Sequence, residues 1–411
     1  MIDVFHNELT FHPAALEVCF DTCPHGCRYC FANARKSRRV ACMSAIRRVI
    51  DGDDEGLKGK LYRLGYPVAM CNRTDPLAGN NFRSFASVMS MLNRDGHPVF
   101  VMTKGAATEE AEDDAIRMLA DNGHSMLYIS ITAKDDETSR LIEPYAPPVS
   151  RRVSLALRAR KAGVPVMIGF NPAVEKWLPM DAAKELTRTF LEGGVEAFFA
   201  QGLHLSVAQT KGDPRIDAVL TDEEKATARK NDQMYASRLA ATALFEWGAA
   251  GMWMQGMPFV TKYHDCVRAS LGKMMPTTYD FVEYARGRMG TILTFRDYIR
   301  EMFRGREDLL EIRDKSLYRA VMVNNLHVWH ESASAKRVNS YEGAFRFFWN
   351  DARFRFISPR FWPCFSTVVR GKTPVKDRDG NILLFVRDKL TDERSVDVDE
   401  LPEQARKEVG I

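Results

Sequence analysis

Three cysteines near the start of the chain carry the most specific chemistry in it. Cys23, Cys27 and Cys30 lie in the run Asp21-Thr-Cys-Pro-His-Gly-Cys-Arg-Tyr-Cys-Phe-Ala32, a C-x3-C-x2-C spacing with Tyr29 just before the last thiol. Thiolates suit iron–sulfur clusters, and four of them normally close a four-iron cube. Three leave one iron without a protein ligand, and an open metal position can take a substrate or cofactor. The other reading is a structural zinc site, which wants a fourth ligand. Cys19, His25, His6 or His12 would have to supply it. Cys19 belongs to the apolar run Ala15-Leu-Glu-Val-Cys-Phe20, which reads as a buried strand where a small thiol is at home. A zinc ribbon also wants a second ligand pair downstream, and the sequence has none.

The bulk properties suit a globular enzyme. A length of 411 residues predicts two domains, or one barrel with an appendage. The chain is 45% hydrophobic and 27% charged, and its net charge of +4 is too small by itself to select a polyanionic partner. The eight cysteines lack the density and pairing of a disulfide scaffold, since Cys42, Cys71, Cys266 and Cys364 are widely separated. An oxygen-sensitive cluster and unpaired thiols favour a reducing, cytoplasmic setting. The opening Met-Ile-Asp-Val-Phe-His-Asn-Glu has no basic region followed by an apolar core, so no signal peptide is expected. No apolar run reaches the roughly 18 residues that span a bilayer, so no membrane partner is expected.

Short apolar strands alternating with amphipathic helices must position these thiols. Strands are expected at Leu16–Phe20, Val68–Asn72, Val99–Thr103, Met126–Ile131, Val166–Phe170 and Ala197–Ala200. Helices are expected near Phe82–Asn93, Glu109–Asn122, Ser150–Ala162, Met180–Glu192 and Thr221–Trp247. Gly123, Gly163 and Gly193 stand where left-handed C-caps belong. Repeated β/α units predict a parallel sheet with right-handed crossovers. Chemistry in such folds collects at the carboxyl ends of the strands, where the cysteine loop also falls.

The cysteine run resembles the cluster loop of the radical S-adenosylmethionine (radical SAM) superfamily. Over roughly residues 15–175 the chain is similar to the spore photoproduct lyase group within it. Three further stretches carry that likeness in order. They are Cys71-Asn-Arg-Thr-Asp75-Pro, Val99-Phe-Val-Met-Thr-Lys104, and the region from Tyr128-Ile-Ser-Ile131 through Arg140-Leu-Ile-Glu-Pro144 to Arg152 and Ala162-Gly-Val-Pro165. The resemblance implies a partial (β/α)6 TIM-like barrel and a [4Fe–4S] cluster on Cys23, Cys27 and Cys30. It implies SAM chelated at the free iron, and an electron donor such as a flavodoxin or ferredoxin. By the same resemblance Lys104 pairs with the SAM carboxylate, Ser130 contacts SAM through its hydroxyl, and Tyr29 lies near the adenine. Asp75 holds the SAM ammonium or ribose, or else starts the turn made with Pro76. Cys71 corresponds to a cysteine that donates a hydrogen atom to a product radical. Glu143 and Arg152 read as a structural ion pair. The usual Gly-Gly-Glu-like motif after strand two is replaced by Asn72-Arg-Thr-Asp-Pro76, as in the lyase group, which leaves the ammonium ligand open.

A core over residues 1–260 and an α+β C-terminal extension over 261–411 are expected. Helical stretches are expected near Tyr279–Arg304 and Glu307–Met322, and a closing hairpin from Thr367–Arg370 and Ile382–Val386 around Asp377-Arg-Asp-Gly380. Between Glu331 and Leu390 stand twelve Lys or Arg against six acids. There Arg353, Arg355, Arg360 and Trp362 typify alternating cations and aromatics. Cations on phosphates beside aromatics on bases make a nucleic-acid surface; an aromatic core with a solvated basic face gives the same pattern. The function expected is a radical SAM enzyme acting on a nucleic-acid base or nucleotide, by lyase, repair or base-modification chemistry. The alternatives are radical modification of a peptide or small metabolite, and a nucleic-acid-binding protein with a structural zinc or Fe–S site.

Overall fold

The computed structural model describes residues 16–18, 20, 22–30, 32, 43–63, 65, 68–71, 74–195, 197–203, 205–247, 251–254, 257–260, 287–305, 307–311, 313, 340–350, 365–387 and 393–411. The chain divides into two compact units, Met1–Gln255 with Phe259–Met275, and Gly256–Pro258 with Pro276–Ile411.

The first unit runs β1 (Leu16–Val18), α1 (Met43–Ile50), α2 (Leu57–Arg63), β2 (Val68–Met70), α3 (Asn81–Asp95), β3 (Val99–Thr103) and α4 (Glu109–Asn122). It continues through β4 (Ser125–Ser130), α5 (Asp136–Ile142), α6 (Val149–Lys161), β5 (Val166–Phe170), α7 (Met180–Glu192) and β6 (Ala197–Ala200). The short helices α8 (Val207–Thr210) and α9 (Pro214–Asp217) lead to α10 (Asp222–Phe245) and β7 (Gly251–Met254); β8 (Met257–Val260) follows, with its first two residues assigned to the second unit. The sheet order is β1 to β8 in sequence, and every pair from β1 to β7 is parallel. Among the described strands it is an open, partial barrel of β/α units. All six expected strands are present, and β7 adds a seventh that short, Gly-rich local sequence did not announce.

Burial explains the strands. β2, β5 and β6 are buried throughout, as in parallel sheets covered on both faces. The helix ends follow capping chemistry. Thr108 accepts from the Ala111 N–H, and Glu109, Glu110 and Glu112 favour the positive end of α4. Thr221 and Glu224 form a capping box on α10. Gly123 and Gly163 take the positive φ expected of them, at 72° and 85°. After α7 that role moves one residue along: Gly193 has φ −80°, and its neighbour Gly194 has φ 80°. Both residues are glycine, so the local sequence left that choice to the packing.

The second unit holds β9 (Ile292–Leu293), α11 (Phe295–Met302), α12 (Tyr341–Asn350), β10 (Phe365–Arg370), β11 (Thr373–Pro374), β12 (Leu384–Val386), β13 (Ser395–Asp397) and α13 (Glu403–Val409). The sheet order is β11-β10-β12-β9, with β13 on β10. The closing hairpin forms as expected, with Thr367 opposite Leu384 and a turn in which Gly380 N–H bonds the Asp377 carbonyl at 3.1 Å. The helix expected over Tyr279–Arg304 is corrected: strand β9 precedes Phe295, and only α11 is helical among the described residues there. Glu307–Glu311 is a 3-10 turn. Phe345 and Trp349 are core, with Trp349 stacked on Tyr298 at 5.3 Å between ring centroids. The cationic aromatic stretch with Arg353, Arg355, Arg360 and Trp362 lies outside the described residues.

Candidate active site

The three thiols sit on one loop that follows β1 at the carboxyl end of the sheet. Pro24 and His25 make its first turn, and Gly26 continues at φ 62°. A Cβ on Gly26 would meet the Tyr145 ring at 2.8 Å, so the loop needs glycine there. A second turn brings the Cys30 N–H to the Cys27 carbonyl at 3.1 Å. Cys27 is buried, Cys23 and Cys30 are half-buried, and none is in a disulfide.

Four elements pin this loop. The Arg28 N–H donates to the Ile142 carbonyl at 2.9 Å, and its Nε to the Leu141 carbonyl at 2.8 Å. The Tyr145 N–H reaches the His25 carbonyl at 3.2 Å. From α8, buried Gln209 donates its Nε2 to the carbonyls of Tyr29 and Cys30 at 3.3 and 3.4 Å. From the turn after β2, Asp75 Oδ2 lies 2.9 Å from His25 Nε2. The carboxylate can only accept, so Nε2 donates. His25 Nδ1 is buried and meets no hydrogen-bond partner among the described residues.

Burial pushes the Cys23 thiol up to about 12, with the Asp75 charge adding to it and the N–H groups of His25 and Asp75 opposing. Burial and Glu143 likewise hold Cys27 well above the ordinary thiol range, against Lys104. A charge on Cys30 raises both further. Such thiols ionise only against strong local positive charge, which a metal centre supplies. No three Cys, His, Asp or Glu side chains among the described residues close on a point as they would around one ion.

Cys71, Lys104 and Ser130 stand at strand ends. Cys71 follows β2 directly and is buried. Asp75 accepts from the Leu77 N–H at 2.9 Å, the Thr103 hydroxyl at 2.7 Å and the Lys104 N–H at 2.6 Å, besides His25. Burial alone would raise its carboxyl, but His25 and these hydrogen bonds hold it below the ordinary value. Lys104, just past β3, places Nζ 2.8 Å from Glu143 Oε1 and 5.8 Å from the Tyr29 ring centroid. Tyr29 donates its hydroxyl to the same Oε1 and packs on Trp177 at 5.5 Å. Ser130 ends β4, and its carbonyl accepts from Arg152 Nη1 at 3.2 Å. Glu143 and Arg152 form a wholly buried ion pair. Burial would raise the Glu143 carboxyl, yet Arg152 and Lys104 drive it far below the carboxylate range.

The structure therefore joins Tyr29, Lys104, Glu143 and Arg152 in one network, and Cys23, His25 and Asp75 in another. Sequence reasoning missed Gln209, Thr103 and Thr132. Gln209 reads as the far end of a Ser206 capping box, and its loop contact joins residues 179 apart. No local pattern encodes that contact.

Residues 18–176 match the family model of the Radical SAM superfamily. Over this stretch the chain is similar to radical SAM domains. Such domains work with S-adenosylmethionine and an iron–sulfur cluster. Among solved structures, SuiB of Streptococcus suis bound to S-adenosylmethionine is similar at 13% identity and a TM-score of 0.41, covering 58% of this chain and 50% of that one. SuiB bound to its precursor peptide SuiA has the same identity and TM-score, with 47% of that chain covered. Spore photoproduct lyase complexed with dinucleoside spore photoproduct is similar at 13% identity and a TM-score of 0.45, covering 60% of this chain and 78% of that one. The chain spans about half the length of the SuiB structures it matches. It matches no curated protein. No helix among the described residues is long and apolar enough to cross a membrane.

Proposed function

We propose that the chain is a radical SAM enzyme acting on a nucleic-acid base or nucleotide. The observation that carries the enzymatic reading is one loop of three buried or half-buried thiols, pinned by Asp75, Glu143 and Gln209, with the Lys104 ammonium at the same sheet edge. Cys23, Cys27 and Cys30 would hold a [4Fe–4S] cluster and leave one iron for the amino and carboxylate groups of S-adenosylmethionine. When bound, cluster and cofactor together supply a 5′-deoxyadenosyl radical, with an electron from a donor such as a flavodoxin or ferredoxin.

The chain's own residues bind, orient and shield. Lys104 would attract the cofactor carboxylate as a point charge. Tyr29 would flank the adenine, and Ser130 and Asp75 would meet the cofactor's polar groups from the ends of β4 and β2. Cys71 would return a hydrogen atom to the product radical. The nucleic-acid assignment rests on the alternating cations and aromatics of the sequence around Arg353, Arg355, Arg360 and Trp362.

The test is anaerobic reconstitution with S-adenosylmethionine and a reductant, followed by mass spectrometry of nucleosides, added DNA and peptides. New nucleoside masses support the proposal. Release of 5′-deoxyadenosine with no nucleoside change moves the substrate to peptides or small metabolites. No 5′-deoxyadenosine at full iron content removes the radical reading.

A further inference from the structure

Glu143 serves two cations, where a structural pair needs one. Its Oε1 accepts from the Thr132 hydroxyl at 2.6 Å, the Lys104 ammonium at 2.8 Å and the Tyr29 hydroxyl. Arg152 meets Oε2 and is fully engaged elsewhere, donating to the Pro147 carbonyl at 2.7 Å and the Ser139 hydroxyl at 3.1 Å. The Glu143 and Arg152 side chains are 0% exposed, whereas Lys104 keeps 13%. Lys104 is thus the surplus cation, and the one able to turn toward an incoming anion. Glu143 is its one anionic partner among the described residues.

The two cations and one carboxylate sum to +1. This buried charge borders the cysteine loop, whose Tyr29 hydroxyl donates to Glu143. An ammonium on a four-carbon stem loses several rotamers when it binds, so anchoring it beforehand lowers the cost of meeting a ligand. Tyr29 links the anchor to the cluster loop, because it stands between Cys27 and Cys30 and donates to the oxygen that Lys104 faces.

We infer that Glu143 is a positioning residue: it holds Lys104, in register with Tyr29 of the cysteine loop, as the cation that receives the cofactor carboxylate, and it keeps the buried charge beside that loop at +1 rather than +2. The inference rests on the cofactor-binding reading proposed above. Removing the Glu143 charge strands two cations next to the thiolate site, which favours the added electron and raises the cluster's midpoint potential. Removing Lys104 lowers it.

The test uses the full chain, reconstituted with iron and sulfide, in six forms: wild type, Lys104→Met, Glu143→Gln, Glu143→Asp, and the two double variants. Equilibrium S-adenosylmethionine binding and redox titration followed by electron paramagnetic resonance are read at matched iron content. Lys104→Met should weaken cofactor binding by about tenfold or more in the wild-type background, the loss of one charge-assisted contact. On either Glu143 background the same change should cost less than about threefold, a non-additive cycle. The potential should rise in Glu143→Gln, fall in Lys104→Met and stay unchanged in Glu143→Asp, which keeps the charge. Glu143→Asp also covers the case in which the amide variant does not fold. Equal Lys104→Met penalties in every background overturn the inference while leaving the cofactor reading intact. Iron-replete wild type that binds no S-adenosylmethionine overturns that reading, and the inference with it.

Discussion

His25 and Asp75 hold one another across 50 residues of sequence, with Nε2 2.9 Å from Oδ2. The contact fastens the cysteine loop to the turn after β2. Asp75 carries the fastening on to β3 through the Thr103 hydroxyl and the Lys104 N–H. Four donors therefore converge on one buried carboxylate. Asp75→Asn replaces an acceptor oxygen by a donor, which must then face other donors. The variant should lose about 1.5–3 kcal/mol of stability, the range for a hydrogen bond to a charged group. Denaturant unfolding of the metal-free protein measures this, and an unchanged midpoint would mean the contact holds nothing in place.

The thiols make the second prediction. Replacing Cys23, Cys27 or Cys30 by Ala should each abolish iron binding, while Cys71→Ala and Cys19→Ala should retain about four irons per chain, the cubane stoichiometry. Iron and sulfide assays after reconstitution decide it. Loss of iron in Cys19→Ala would close the site with a fourth cysteine and end the open-iron reading. Cys19 itself lies outside the described residues.

Gln209 gives the third. Its Nε2 is the α8 donor to the Tyr29 and Cys30 carbonyls. Gln209→Leu keeps the bulk but leaves both carbonyls without that donor, a penalty of roughly 1–3 kcal/mol if they find no water. The variant should bind iron but release it faster to a chelator than wild type. Equal release rates would assign Gln209 to the Ser206 cap alone.

How much of this was legible in the sequence depends on the range of each signal. The parallel strands were plain because strands buried on both faces leave short, continuous apolar runs such as Val99–Thr103 and Val166–Phe170. The extents of α4 and α7 followed from their apolar period and the glycines that follow them. The exchange of Gly194 for Gly193 was invisible, since two adjacent glycines permit either backbone path. The space constraint at Gly169 was equally hidden: a Cβ there would lie 1.8 Å from the Tyr128 hydroxyl of the neighbouring strand. Glu143 and Arg152 were readable as a pair. The convergence of Lys104, Tyr29 and Thr132 on the same carboxylate needed the fold, because it joins the ends of different strands.

The last prediction concerns pH and a residue away from the thiols. Asp232 lies on α10, where burial and then the charge of Glu224 push its carboxyl up to about 7, from an ordinary value of 3.8. Its folded-state value is the higher one. Between about pH 4 and pH 7 the folded chain therefore holds a proton that the unfolded chain has released. Stability falls as pH rises through that window and stays reduced above it. The carboxylate is partly exposed, so solvent screening trims the effect. Asp232→Asn removes the titration while keeping size and polarity. Compared with wild type, the variant should melt at a higher temperature at pH 8 and at nearly the same temperature at pH 4.5. Thermal melts of the two proteins at both pH values measure the difference. An offset of equal size at each pH would show that the substitution acts through packing rather than through the charge.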